Sequence, residues 1–385
     1  MEKKQYLLLP GPTPVPPDVL RGLVKPMINH RGPEFKELFT ELTEGLKDVF
    51  RTENDVIIFP SAGTGGMEAA VANFISPGEK VLVVSIGNFG DRFAEICRRF
   101  GAIVEKIDFP WGTAADPDIL SDHIKKDTKK EIKAVFVTHN ETSTGVTNDL
   151  PKLRNALGDH PALFIVDSVS GLGAMELETD AWNLDVVIAG SQKSFMVPPG
   201  LSFVAVSERA WEAAEKCTNA CYYWDILTAR KYAKRGQTPY TPALSQMNGL
   251  VEALKMIKKE GLSNIIARHE RFKNMVRAGV RALGLELLAA DEVASNAVTA
   301  VIAPPPVEAD AIRLTLLERF NVVIAGGQNQ LKNKVFRIGH LGYVQELDIL
   351  AVLAALEMSL VMNTYEVNLG QGVRAAQEIA MQSMD

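Results

Sequence analysis

The sequence predicts an α/β protein with an open, mostly parallel sheet in a larger domain and a smaller C-terminal α+β domain. Three observations carry this. Short apolar runs recur between Val56 and Val206, several of them leading through a polar or glycine-rich turn into a helical pattern, as buried parallel strands do. Within 162–200, the run Leu163, Phe164, Ile165, Val166 ends on Asp167, and the run Val186, Val187, Ile188, Ala189 ends on Gly190-Ser191-Gln192-Lys193. From Ser245 the pattern changes to long helices, broken at Gly261 and again at Gly284.

A chain of 385 residues is long enough for two domains with substantial cores. With 46% hydrophobic residues and a mean hydropathy near zero, it reads as a soluble globular protein. A net charge of −6 and a pI near 5.7 give no electrostatic footprint for nucleic acid or an anionic membrane. The run Leu7-Leu8-Leu9 is too short for a secretory signal, and no run reaches spanning length, so a cytoplasmic protein without a membrane segment is expected. Cys97, Cys217 and Cys221 show no paired ligand spacing beyond one C-x3-C, which predicts reduced thiols and no metal site.

Taken in order, Pro10-Gly11-Pro12-Thr13-Pro14 forces an extended, rigid arm, placed over residues 1–20, because proline disfavours helix for its predecessor. Arg31 could reach an anion or cap the next helix. Val56 to Phe59 is a strand that runs into Pro60-Ser61-Ala62-Gly63-Thr64-Gly65-Gly66, with a helix from Met67. Strand, glycine turn and helix start form either an anion cradle or a plain connection; the Walker GK[ST] and a clean GxGxxG are both missing. After the strand Lys80–Ser85, Phe89 sits between Asn88 and Gly90 at the next strand-to-helix turn, poised to stack on a ligand or to staple its own helix. The strand Ala134 to Thr138 leads into the polar turn His139-Asn140-Glu141-Thr142-Ser143-Thr144-Gly145. Residues 201–206 follow the previous strand too closely for a helical crossover, which makes them the antiparallel member of the sheet. Cys221-Tyr222-Tyr223-Trp224-Asp225 is an irregular aromatic patch, and Gly236 to Pro242 a loop. Beyond the long helices come the strand Val298–Ile302, a helix over 311–320 and strands from Val322 and Lys334. In VFRIG, Arg337 points to the opposite face from Phe336 and Ile338, as a carboxylate clamp or an ordinary strand arginine.

Ligands of open α/β sheets lie beyond the carboxyl ends of the strands, so Asp167 and Lys193 can face one ligand. Singly, such an aspartate also serves as a metal ligand or helix cap, and such a lysine as a solvated residue. Around Lys193, small Gly190, Ser191 and Ser194 and stiff Pro198-Pro199-Gly200 suit a backbone that approaches a cofactor closely. Pyridoxal 5′-phosphate (PLP) needs this pair. Its aldehyde condenses with an amine, and its ring nitrogen stays protonated beside an acid.

With PGPTPVPP, HNETSTG, DSVSGLG, GSQKSFMVPPG and VFRIGHLG in this order, the sequence resembles the class V aminotransferases, in their alanine–glyoxylate and serine–pyruvate branch, along almost its whole length. The resemblance implies fold type I of the PLP-dependent transferases, with a mostly parallel seven-stranded sheet in a large domain at 21–255 and a smaller α+β domain at 256–385. It implies that the phosphate lies against Gly63 and Thr64 with a donor from Gln192, and that Phe89 stacks on the ring while Thr142 serves its phenolic side. Asp167 then faces the ring nitrogen, Lys193 binds the aldehyde and moves protons, and Arg337 takes the substrate α-carboxylate. His139 receives no catalytic role. A homodimer is implied, with Gln237 and Thr238 reaching the neighbour's phosphate and the choice between Thr238 and Tyr240 open. The implied reaction moves an amino group from alanine or serine to glyoxylate or pyruvate. The alternatives are an aspartate- or phosphoserine-type aminotransferase, a class V lyase, or a non-catalytic cofactor-binding subunit. No cysteine follows Cys221, which argues against a desulfurase, and no extra cationic set for a second phosphate can be placed. Some relatives carry a soluble hydrogenase label, which no clustered cysteines support here. The non-catalytic reading accounts for 61–66 but leaves Lys193 and Arg337 without roles.

Overall fold

The computed structural model describes residues 4–382. The outermost residues of the arm and of the C-terminal region, 1–3 and 383–385, lie outside the described residues. A seven-stranded sheet runs in the order Asp55–Phe59, Ser202–Val206, Val186–Gly190, Leu163–Asp167, Ile132–Thr138, Lys80–Ser85, Ile103–Asp108. Ser202–Val206 is antiparallel to both its neighbours and every other pairing is parallel. The period of two is plain in the packing. Ile58, Val84, Val137, Val166 and Val187 join one core, while Ile57, Val83, Phe136, Ile165 and Ile188 join the core on the other face. The first core is covered by helices that include Pro33–Phe50 and Leu244–Glu260, and the second by helices that include Gly63–Phe74 and Asn88–Arg99. Burial on both faces is why these strands are continuous apolar runs.

One strand of the seven, Ile103–Asp108, was not legible as such. It is an edge strand, and its IVEKID carries Glu105 and Lys106 where the inner strands carry valine and isoleucine; all six of its residues stay at least partly exposed. The glycine-turn helix begins at Gly63, ahead of the expected Met67. The polar turn after Thr138 is a buried miniature hairpin, Asn140–Glu141 against Val146–Thr147.

A second sheet has the order Tyr6–Leu8, Val322–Gly326, Val335–Gly339, Val298–Ile302. The arm therefore contributes an edge strand, paired in parallel with Val322–Gly326, and Leu8 enters a third core with Phe272, Phe336 and Leu353. Within the Leu262–Ala282 helix, Ile265 belongs to the first core and Phe272 to the third. Gly261 (φ 86°) and Gly284 (φ 73°), both at positive φ, end the two long helices. Among the described residues no helix is long and apolar enough to cross a membrane.

Candidate active site

The carboxyl ends of five strands of the large sheet open on one cavity. Its walls include Gly63, Thr64, Phe89, Thr142, Asp167, Gln192 and Lys193. The parallel register sets this convergence: Asp167 pairs with Thr138 on one side and Ile188 on the other, which brings the loops after each strand together.

Asp167 is 3% exposed, and one carboxylate oxygen, Oδ1, accepts the Val169 N–H at 3.0 Å. Burial raises its pKa to about 6, opposed by that N–H and by the charges of Lys193 and Arg92. Lys193 feels the reverse pull. Burial lowers its pKa to about 8, with Asp167 holding it up and Arg337 and Arg92 pressing it down. The two groups are thus coupled across the cavity, and both shifts draw them toward physiological pH. Lys193 Nζ donates to Pro10 O at 2.5 Å, Thr13 N donates to Gln192 O at 3.2 Å, and Thr13 Oγ1 to Lys193 O at 3.1 Å. The N-terminal arm is therefore part of the lysine's wall. Gly11 (φ 125°) holds a backbone conformation that side chains rarely adopt, and a Cβ there would come within 2.6 Å of Lys193 Nζ and displace it.

The helix Gly63–Phe74 points its N-terminus into the cavity, and its N-cap, Ala62, gives no side-chain hydrogen bond. Its first amides are left for an anion. Val169 presses so close to this start that a Cβ on Gly63 would lie 2.6 Å from its methyl. Gln192 Oε1 is buried without a hydrogen-bond partner among the described residues. An orphaned polar group costs about 1–3 kcal/mol, and a side-chain amide can turn its NH₂ instead toward a ligand. Helix start and orphaned amide together fit a phosphate.

Phe89 lies half-buried over the same cavity, with its backbone N–H donating to Glu141 Oε2 at 2.9 Å. Glu141 is fully buried. It also accepts from Gly90 N (3.2 Å) and from Ser143 N (3.1 Å) and Oγ (2.5 Å), and burial raises its pKa to about 7. From the second sheet comes Arg337, 5% exposed, donating through Nε to Gly326 O (2.8 Å) and through Nη1 to Thr142 O (2.7 Å). It is in the middle of its strand, paired with Ala300 and Ala325, and its guanidinium spans the gap between the sheets.

Wall residues that sequence reasoning did not assign include Val169, Arg92 and Asn140; it also missed the Pro10 carbonyl at Lys193 and Glu141, which fixes Phe89 from behind. For Arg92 a signal existed: it lies three residues after Phe89 on one helix face. Gln237 and Thr238 do not reach this cavity in their own chain. Arg31 holds their loop, donating to Thr238 O (2.5 Å), Pro239 O (3.0 Å) and Gln237 Oε1 (3.4 Å) rather than capping a helix. Thr238 Oγ1 donates to Tyr240 O at 2.7 Å. His139 is buried against Ser168 Oγ at 3.0 Å, its pKa lowered to about 4 by burial, and it stands outside the cavity wall. Among the described residues no group of three or more His, Cys, Asp or Glu side chains is placed to hold a metal ion.

A lysine amine paired with a buried carboxylate beyond the strand ends, facing an anion-binding helix start, belongs to enzymes that tether PLP. The comparison with known proteins narrows this class. The family Aminotransferase class-V matches residues 5–350, and the chain belongs to it; enzymes of this family use PLP. The soluble hydrogenase 42 kDa subunit of Anabaena cylindrica is 48% identical over 98% of this chain and 99% of its own. The serine–glyoxylate aminotransferase of Hyphomicrobium methylovorum is 40% identical over 97% and 94%. The crystal structure of ureidoglycine–glyoxylate aminotransferase from Bacillus subtilis is similar with a TM-score of 0.93, at 31% identity, over 99% of each chain. The expected fold type, family, cofactor and transaminase activity are thereby borne out.

Proposed function

We propose that this enzyme moves an amino group from a small amino acid, serine or alanine, to a small 2-oxo acid, glyoxylate or pyruvate. The observation that carries it is that half-buried Lys193 and buried Asp167 line one cavity, with Arg337 reaching the same cavity wall from the second sheet. Two of the relatives above have glyoxylate in their names, which favours it as the acceptor.

Bound PLP supplies an electron sink conjugated to the amino acid's Cα. Lys193 Nζ takes the proton from Cα and returns it on the cofactor side. A pKa of about 8 leaves a substantial neutral fraction near neutral pH, as a base for this step needs. Asp167 holds a proton on the ring nitrogen; Phe89 covers the ring and excludes water. Thr142 donates to the phenolic oxygen. Gly63, Thr64 and Gln192 hold the phosphate. Arg337 spends one N–H on Gly326 O and one on Thr142 O, which fixes its plane and leaves its other donors for the substrate carboxylate.

The working form in this reading is a cytoplasmic homodimer, with Gln237 and either Thr238 or Tyr240 serving the neighbour's phosphate. The position of that loop away from its own chain's cavity supports a role in a second copy. A large domain at 21–255 and a smaller one at 256–385 belong to the same reading, supported by the change of core between Ile265 and Phe272.

The test is a half-reaction screen. L-serine or L-alanine should bleach the visible band of the PLP-loaded enzyme within seconds to minutes, and glyoxylate should restore it. A band that responds to L-aspartate alone moves the assignment to the aspartate type, and one that no amino acid changes ends the transaminase reading.

A further inference from the structure

Arg92 is a wall residue of the cavity with no role in the reading above. It stands on the Asn88–Arg99 helix, and its guanidinium carbon lies 4.5 Å from the centre of the Phe89 ring. Its Nη1 donates to Thr64 Oγ1 at 3.1 Å. Its charge is also felt by Asp167 and Lys193. One side chain thus touches the aromatic plate and the hydroxyl at the anion-binding helix start.

We infer that Arg92 is the positioning residue of the phosphate side of the cofactor site. The inference rests on the reading that the anion at the helix start is the phosphate of PLP. A hydroxyl has one proton and two lone pairs. Thr64 Oγ1 accepts from Arg92, so its own proton is left to donate, and a charged donor behind it makes it a stronger donor. The anion at Gly63 and Thr64 therefore meets the amides of the helix start, a polarised Thr64 hydroxyl and a guanidinium charge behind that hydroxyl. The cation–π contact holds the guanidinium in place beside Thr64, since the Phe89 ring lies 4.5 Å from its central carbon. Lysine at this position would keep the charge and lose the flat stacking face.

The experiment compares PLP with pyridoxal, which has the aldehyde and ring but no phosphate. Dissociation constants are read from the cofactor band for the wild type, Arg92→Gln and Arg92→Lys, with thermal melting of each cofactor-free protein as a check on folding. Arg92→Gln should weaken PLP by about tenfold to thirtyfold and pyridoxal by less than about twofold, with Arg92→Lys in between. Inorganic phosphate should compete with PLP for the wild type and lose most of that competition in Arg92→Gln. Equal losses for PLP and pyridoxal overturn the inference, because Arg92 would then act on the ring or the fold, and so does an unchanged PLP constant in either variant. A wild type that binds no PLP at all fails the functional reading itself, which keeps the two failures apart.

Discussion

The two sheets bring chemistry to one cavity by different means. In the seven-stranded sheet every contribution sits at or past a strand's end, at Asp167, Lys193, Thr142, Phe89 and Gly63, so the strand interiors can be pure core while the loops vary. In the four-stranded sheet the contribution is mid-strand. Arg337 has the core residues Phe336 and Ile338 as neighbours and keeps its charge buried through backbone carbonyls, one of them, Thr142 O, from across the gap. In the proposed reading the large sheet fixes where the cofactor lies. In the same reading the small sheet fixes how far away the substrate's carboxylate can be.

If this division is right, damage at the strand ends should fall on turnover and damage at mid-strand on substrate binding. Lys193→Ala should lose the cofactor's visible band and cut kcat by about 10⁴-fold, the upper range for a positioned base; near-normal turnover would remove the lysine from the mechanism. Asp167→Ala should still bind PLP but lose roughly a hundredfold in kcat, matching a charge-assisted bond of about 1.5–3 kcal/mol, and an unchanged kcat would leave the ring nitrogen without its partner. Arg337→Ala should instead raise the KM of both amino and oxo acid by about thirtyfold with a smaller change in kcat. If kcat fell as far as in Asp167→Ala, the division between the sheets would break down.

Two pH experiments refine the same contrast. Burial lowers the Lys193 pKa to about 8, so the rate of PLP uptake should fall roughly tenfold per pH unit below 8 and level off above it, because the neutral amine attacks. A rate still rising near pH 10 would mark an exposed lysine. The smallest effect is at Glu141, which accepts the N–H groups of Phe89 and Gly90. Glu141→Ala should cost about 1–2 kcal/mol of stability, as lost helix caps do. Burial raises its pKa from 4.5 to about 7, so the folded state binds this proton more tightly and the wild type loses stability as pH climbs through that window. Melting curves should therefore show a larger deficit for the variant at pH 5 than at pH 8.

What the sequence disclosed follows the same line. Strands buried on both faces announce themselves as apolar runs, and the residues at their ends inherit positions from the parallel sheet, so Asp167 and Lys193 could be paired from the residues alone. The edge strand Ile103–Asp108 could not, because its exposed side chains break the run. From the residues alone Pro10 reads only as part of a rigid arm, since its contact with Lys193 is made by a carbonyl oxygen and depends on the pairing of Tyr6–Leu8 with Val322–Gly326. Glu141 was visible in its motif, but its hold on the Phe89 backbone depends on how two loops pack.

That long-range pairing also sets when the wall beside Lys193 can be completed. Tyr6–Leu8 cannot take its place until Val322–Gly326 has left the ribosome, so a nascent chain can complete the large sheet and still hold its lysine without the Pro10 carbonyl beside it. Closing so long a loop is entropically slow. Maturation of the lysine's surroundings is thereby tied to synthesis of the strand Val322–Gly326, and a fragment truncated before residue 322 should fold around the seven strands yet never seat Tyr6–Leu8.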